Sequence, residues 1–348
     1  MKKTLVCASD AGGANAILPV VKRLLVDNAD LICVIDNQAR ELFRQAEIEF
    51  IDARTIALVD LHELMEKFKP DLFLAGTSLG NTIDKDILLW CRERFVPSVY
   101  VLDFWANYWQ RFSSERKDFK YLPDYICVMD DISKQDMVDE GFAEKQIIVT
   151  GNPHFDHFAD GISLTGEKTN RVLFVSQPLR ALNERSEIEK YGYDEYQVLK
   201  DVLHIWSTAP AESQLIIRLH PNEDRLKFNS LLDPNDARIS LDNRPDVKES
   251  ISAVDLVIGM NSIVLFQAVA AGKPVISYQP GLKRSDPLIS NRLGLSELFT
   301  DFDMFSDRMK VYFNGKRLNE TDTIKKNYII KNATQNAVDF LNRLATQK

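Results

Sequence analysis

Several short stretches of this sequence carry groups suited to chemistry, and each follows an apolar run. "LIIRLHP" (residues 215–221) ends on His220 and stops at Pro221, which has no N–H with which to extend a strand ladder. An imidazole at the tip of such a strand can donate to a phosphate oxygen, more strongly when protonated. In "DLVIGMNSIVLFQAVAAGKPVISYQ" a strand is expected to end at Gly259, with Gly259 and Met260 among the residues expected at the donor phosphate. Asn261 or Ser262 can then cap a helix from Ile263 to about Ala271, closed by Gly272, with Pro274 opening the next strand. The free N–H groups of that helix's first turn, with the Asn261 amide and the Ser262 hydroxyl, suit an anion. "FVSQPLRALNERSE" sets Ser176 and Gln177 at a strand tip, followed by Arg180, a guanidinium able to hold phosphate bidentately.

Two further loops lie in the first half. In "SDAGGANAI", Gly12 and Gly13 let backbone approach a ligand closely, and Asp10 is either a general base or a helix cap. The pattern is neither G-x-G-x-x-G nor a Walker A loop. "VLDFWANYWQRFSSERKDFKYLPDY" places Asp103 at a strand end, then Trp105, Tyr108, Trp109 and Phe112 among Arg111, Arg116, Lys117 and Lys120. Aromatic faces beside cations suit stacking on sugar rings or contact with an anionic lipid surface; the alternative is a long, well-packed loop.

The elements that position these loops alternate along the chain. Near-continuous apolar strands ("TLVCA", "LICVID", "EFIDA", "DLFLAG", "SVYVLD", "YICVMD", "QIIVTG") alternate with amphipathic helical patterns, the signature of a parallel sheet covered on both faces. "GNPHFDHFADGISLTGEKTN" (151–170) breaks the alternation and reads as a linker, after which "RVLFVS", "QLIIRLH", "ARISL", "DLVIG" and "PVISYQ" build a second sheet. The expected fold class is α/β: two Rossmann-like, doubly wound parallel-sheet domains facing a cleft. Residues 1–160 form an acceptor-binding domain, 161–322 a donor-binding domain, and 323–348 a helix that packs back across the hinge. In such sheets ligands bind beyond the carboxyl ends of the strands.

Composition sets outer bounds. At 348 residues the chain exceeds what one core usually supports, and 45% hydrophobic with 27% charged residues is ordinary for a globular protein. A net charge of -8 argues against nucleic acid as a partner. Cys7, Cys33, Cys91 and Cys127 are scattered through apolar runs with no metal-ligand spacing, as in a cytoplasmic protein with reduced thiols. The first apolar run is five residues, too short for a signal peptide, and none approaches the roughly 18 of a membrane span. A cytoplasmic location follows, with membrane contact at most peripheral.

The segments "LHPNE" and "VDLVIGMNSIVLFQAVAAGKPVI" resemble the donor half of GT-B-fold glycosyltransferases. "IIVTGNPHFD" resembles the interdomain junction of the same superfamily, which includes the nucleotide-sugar 2-epimerases. A His-Pro motif with a hydroxyl motif at a helix start is similar to that of enzymes using cytidine-nucleotide donors: bacterial sialyltransferases, Kdo transferases and teichoic-acid glycerophosphotransferases. The resemblance implies that His220 touches the donor phosphate and that Asn261 and Ser262 complete its cradle. It also draws attention to Asp139, Glu140 and Gly141, an acidic pair before glycine, although here these end a helical pattern. Two departures count against a UDP donor and an epimerase. Gln267 stands where UDP-sugar enzymes usually carry a ribose-binding glutamate, and Gly-Met-Asn-Ser replaces the epimerases' Asp-Ser-Gly-Gly.

The expected activity is metal-independent transfer from a nucleotide-activated sugar, with cytidine as the nucleotide, to a glycan or lipid-linked glycan hydroxyl in surface polysaccharide synthesis. Asp10 is the preferred base and Asp103 the second choice. Trp105, Tyr108 and Arg111 hold the acceptor, and no cofactor or metal is called for. The alternatives are a UDP-sugar transferase, an epimerase or hydrolase on the same fold, and a non-catalytic nucleotide-sugar binding protein.

Overall fold

The computed structural model describes residues 3–156, 158, 169–185, 191–221, 223–315 and 331–344. The chain divides into two compact units, residues 1–157 with 329–348, and residues 158–328. Most of the linker-like stretch and residues 323–330 lie outside the described residues.

The first unit holds seven strands: β1 (Lys3–Ala8), β2 (Asp30–Ile35), β3 (Ile51–Asp52), β4 (Leu72–Gly76), β5 (Ser98–Val101), β6 (Tyr125–Val128) and β7 (Ile147–Val149). They pair in parallel in the order β3-β2-β1-β4-β5-β6-β7. The second unit holds β8 (Arg171–Val175), β9 (Gln214–Arg218), β10 (Ile239–Leu241), β11 (Leu256–Gly259), β12 (Val275–Tyr278) and β13 (Glu297–Phe299), parallel in the order β10-β9-β8-β11-β12-β13. Both orders reverse direction beside the first strand of the sheet, at β1/β4 and at β8/β11. A doubly wound sheet opens a crevice at such a reversal, because the connections on its two sides run to opposite faces.

The central strands are buried on both faces, which explains why they read as continuous apolar runs. The edge strands are short: β3 spans two residues, β10 and β13 three each. Strand β13 escapes pattern reading because Glu297, Leu298 and Phe299 show no buried side to mark it.

The periodicity of residues 323–345 predicts one continuous helix, whereas the described helix is Ala333–Leu344. Asn332 adopts φ 60°, and the Asp156 carboxylate accepts from the N–H groups of Ala333 and Thr334 at 2.7 Å each. A cap supplied from a distant loop sets the helix start, which no local pattern reveals. Ala337, Val338, Phe340 and Leu341 then bury in the first unit's core beside the helix Ala11–Val26. The chain's last helix thus completes the domain that its first strand began.

Candidate functional site

In the second unit, Val175 of β8 lies level with Arg218 of β9 on one side and Gly259 of β11 on the other. Ser176 and Gln177, His220, and Met260 and Asn261 therefore leave one sheet edge together. The His220 loop and the Asn261 turn are two strand spacings apart, roughly 10 Å, with the β8 loop between them.

That middle loop ties the outer two. Gln177 Oε1 accepts from the Asn261 N–H at 3.0 Å, across the β8/β11 reversal. Ser176 Oγ donates to Glu223 Oε1 at 3.0 Å, and Glu223 Oε2 accepts from the His220 N–H at 2.7 Å. Glu223 also bonds Lys227, whose ammonium reaches Glu195 at 2.5 Å. His220 is half-buried. Burial holds its imidazole below the usual value, opposed by Glu223 and assisted by Lys227, so the neutral ring is favoured in the absence of an anion. Pro221 is exposed at the loop's tip.

The Asn261 turn is clamped from three directions. Besides the Gln177 bond, Ser277 Oγ donates to the Met260 carbonyl at 2.5 Å, and Asn261 Nδ2 donates to Tyr193 Oη at 3.1 Å. Tyr193 in turn donates to Gln279 Oε1 at 2.8 Å. Asn261, expected to offer its amide to a ligand, is 5% exposed and uses that amide to anchor the turn. Ser262 is the N-cap of the helix Ile263–Ala270, accepting from Val264 N–H at 3.3 Å. A Cβ on Gly259 would lie 2.6 Å from Leu265 Cδ1, so glycine lets this helix sit close on its strand.

Arg180 departs from its expected role on phosphate. Its Nε and Nη2 donate to Asp194 Oδ2 at 2.9 and 2.8 Å, and its guanidinium stacks 3.9 Å from the centre of the Tyr196 ring. A partly exposed arginine with a carboxylate and a ring already in contact gains little by leaving them.

In the first unit the β1/β4 reversal carries a pair of carboxylates. Asp10 precedes the helix Ala11–Val26 but makes no side-chain cap bond; Oδ2 accepts instead from the Leu79 N–H at 3.0 Å, in the loop after β4. Burial, and then the charge of Asp103, raise the Asp10 carboxyl above its usual value, against the pull of the Leu79 bond. Asp103 Oδ1 accepts from Thr77 Oγ1 at 2.6 Å and pairs with Arg111 Nη1 at 2.8 Å. A Cβ on Gly12 would stand 2.1 Å from Asp103 Oδ2, and one on Gly13 2.4 Å from the Thr77 carbonyl. The two glycines admit a carboxylate and a strand end against the helix's first turn, a tighter demand than turn geometry alone.

The aromatic loop is packed rather than open, which corrects the expectation of a platform. Trp105 is 4% exposed and donates from Nε1 to Asp130 Oδ2 at 2.7 Å. Tyr108 is also buried, with its hydroxyl on Asp136 Oδ2 at 3.2 Å, and Phe112 meets the rings of Tyr100 and Phe142 edge-on. Aromatic side chains gain most by burying their faces when the polar tip finds a partner. Arg111 is buried with them and serves Asp103. Glu140 accepts from Trp109 N–H at 3.1 Å, while Gly141 ends the helix Asp131–Glu140 at φ 106°. The acidic pair is thus a helix terminus, in which Glu140 props the aromatic loop and Asp139 accepts from Gln135 Nε2 at 2.8 Å.

Thr77, Leu79, Glu223, Lys227 and Tyr193 were not singled out in the sequence. "TSLGNT" directly follows the β4 run and Glu223 lies three residues beyond His220, so attention to every strand end would have found the first two and Glu223. Among the described residues no helix is long and apolar enough to cross a membrane, and no group of three or more His, Cys, Asp or Glu side chains could hold a metal ion.

No family model and no curated protein matches this sequence. Solved structures do. The UDP-GlcNAc 2-epimerase of Neisseria meningitidis, solved with UDP-GlcNAc bound, superposes with a TM-score of 0.70 at 17% identity, covering 98% of this chain and 100% of its own. Acinetobacter baumannii MurG gives 0.62 at 14% identity, covering 99% and 100%, and the glycosyltransferase of kitacinnamycin gives 0.64 at 13%, covering 99% of each chain. The chain has the GT-B fold. At these identities the likeness is one of architecture.

Proposed function

We propose that this GT-B protein is an enzyme that binds a nucleotide-activated sugar at the β8/β11 edge and transfers the sugar to an acceptor hydroxyl. The observation that carries this reading is the shared edge in the second unit. There the His220 loop, the Gln177 tip and the Asn261 turn are locked together by Glu223, Gln177 and Tyr193. His220 and the first turn of the helix Ile263–Ala270 would stabilise the negative charge that develops on the leaving nucleotide. His220 is neutral before binding, and phosphate charge beside it would draw a proton onto the ring. Asp10 would take the proton from the acceptor hydroxyl, its raised affinity for protons suiting a general base.

For the nucleotide, uridine replaces the cytidine expected from the His-Pro motif. The structural likenesses include one protein solved with UDP-GlcNAc and another solved with UDP. The absence of an acid at Gln267 then means that the ribose is held by other groups. A thermal-shift panel of UDP, CDP, CMP, GDP and ADP tests the reading. A nucleotide at 100 times its dissociation constant should stabilise its unit by about 2.7 kcal/mol. UDP is expected to give the largest shift and His220→Ala to remove it; equal shifts from all five nucleotides would defeat the proposal.

A second reading, epimerisation of the same UDP-sugar, is favoured by Asp103 beside Asp10, because removal and return of a proton at carbon uses two such groups. Incubation with UDP-GlcNAc and no acceptor separates the two. A changed sugar configuration with UDP still attached supports this second reading, free UDP reports hydrolysis of the sugar–phosphate bond by water instead, and unchanged substrate defeats this second reading.

A further inference from the structure

We infer that Lys85 is a positioning residue for the proposed base: from a buried place behind the loop after β4, it clamps that loop so that the Leu79 N–H stays on the Asp10 carboxylate. The inference rests on the proposed transfer for its bearing on rate, and not for its effect on Asp10 itself.

The placement of Lys85 is costly on two counts. It lies in the first turn of the helix Ile83–Glu93, where the positive end of the helix dipole opposes a cation, and it is 3% exposed. An ammonium out of water needs partners for its donors. Asp84, wholly buried beside it, faces it at 3.5 Å. Nζ donates to Ser78 Oγ and Thr82 Oγ1 at 2.9 Å each, and to the Ser78 carbonyl at 3.3 Å. The two hydroxyls also meet each other at 2.6 Å, and Ser78 Oγ donates to Asp84 Oδ1 at 2.8 Å. An apolar pair of similar volume would fill the same space without desolvating two charges, so packing alone does not call for this one.

What the pair does is close a loop. Thr77 and Ser78 are buried, Leu79, Gly80 and Asn81 are exposed, and Thr82 returns the chain to the helix. Gly80 turns the exposed tip with φ 77°. Ser78 and Thr82 are the two stems of that tip, and Lys85 holds both. The carboxylate anchors flank Ser78: the Thr77 hydroxyl is on Asp103 and the Leu79 N–H on Asp10, at 2.6 and 3.0 Å. The aim of the Leu79 N–H is therefore set by the stems. The charges facing Asp10 are Asp103 after β5, Arg111 in the helix Tyr108–Arg111, and Asp84. Burial raises the Asp10 carboxyl, and the Leu79 N–H is the strongest influence in the opposite sense. Loosening the clamp raises Asp10 further, because a hydrogen bond to the charged form is lost.

Carbon-detected NMR titration of the full chain, labelled at its aspartate carboxyls, reads this directly, with the Asp10 signal identified by its loss in Asp10→Asn. Lys85→Met removes the ammonium and keeps most of the stem. Ser78→Ala and Thr82→Val each remove a hydroxyl that Lys85 holds and leave both buried charges in place. Each variant is expected to move the Asp10 midpoint up by about one pH unit, as loss of one N–H bond to a carboxylate predicts. Tyr100→Phe is the structural comparison. It takes a hydroxyl from Asp84 Oδ2, 3.2 Å away, without touching the loop, and should lower the thermal midpoint with the Asp10 titration unmoved. An Asp10 midpoint unchanged in Ser78→Ala and Thr82→Val, or moved as far by Tyr100→Phe, would overturn the inference; these variants decide it if Lys85→Met does not fold. The acid limb of kcat/KM should rise with the midpoint. A limb that stays while the midpoint moves would overturn Asp10 as the base and leave the clamp standing.

Discussion

Asp10 and Asp103 share a sheet edge yet are held differently, one by a backbone N–H and the other by a guanidinium and a hydroxyl. The base form of Asp10 is lost as pH falls through its raised value. The acid limb of a kcat/KM profile should therefore lie above the ordinary carboxyl range, and Asp10→Asn should abolish that limb with a loss of about 10²- to 10⁴-fold in rate. For stability the sign is opposite. A raised folded value favours the protonated form, a contribution present below the ordinary value and lost as pH rises through the raised one. Asp10→Asn should thus melt no lower than the parent at neutral pH, a difference that calorimetry can read. Gly12→Ala puts a methyl 2.1 Å from Asp103 Oδ2, which is anchored by Thr77 and Arg111. It should cost about 1–3 kcal/mol in denaturant unfolding, as overpacking does, and should lower activity with the nucleotide shift intact.

At the scale of elements, loops are fixed by partners far away in sequence. Tyr193 clamps the Asn261 turn from 68 residues away, and Asp156 caps the last helix from 177 away. Tyr193→Phe keeps the ring and removes the hydroxyl that joins Asn261 to Gln279. Nucleotide affinity should fall by about tenfold, in proportion to one or two lost buried hydrogen bonds, with little change in circular dichroism. Asp156→Ala leaves two N–H groups of the helix Ala333–Leu344 without their carboxylate, and should cost about 1 kcal/mol in thermal or urea unfolding. His220→Ala should remove the nucleotide-induced thermal shift. Glu223→Gln should disturb the same binding by loosening the loop that carries the imidazole.

At the scale of the molecule, the two units have separate cores, and the first is built from both ends of the chain. Removing residues 329–348 would expose the surface covered by Ala337, Val338, Phe340 and Leu341. Burying a large apolar side chain is worth about 1.5–3 kcal/mol. Hydrogen exchange of such a truncation should show lost protection in the first unit's helix Ala11–Val26 and native protection in β8 to β12. The same measurement with UDP present should slow exchange in the second unit's β8, β9 and β11 ends.

The alternation of apolar strands and amphipathic helices was legible in the sequence alone, because a strand buried on both faces needs an apolar side chain at nearly every position. So was the position of Asp10, Asp103, His220 and Asn261 just beyond strand ends, since a parallel sheet places its loops by strand direction. Which way those side chains point was not legible. The Asn261 amide turns to Tyr193, Arg180 to Asp194, and the rings of Trp105 and Tyr108 into the core. Those choices depend on hydrogen-bond partners and packing volume contributed by segments distant in the chain. Only tertiary structure brings them within reach, so no local window of residues contains them.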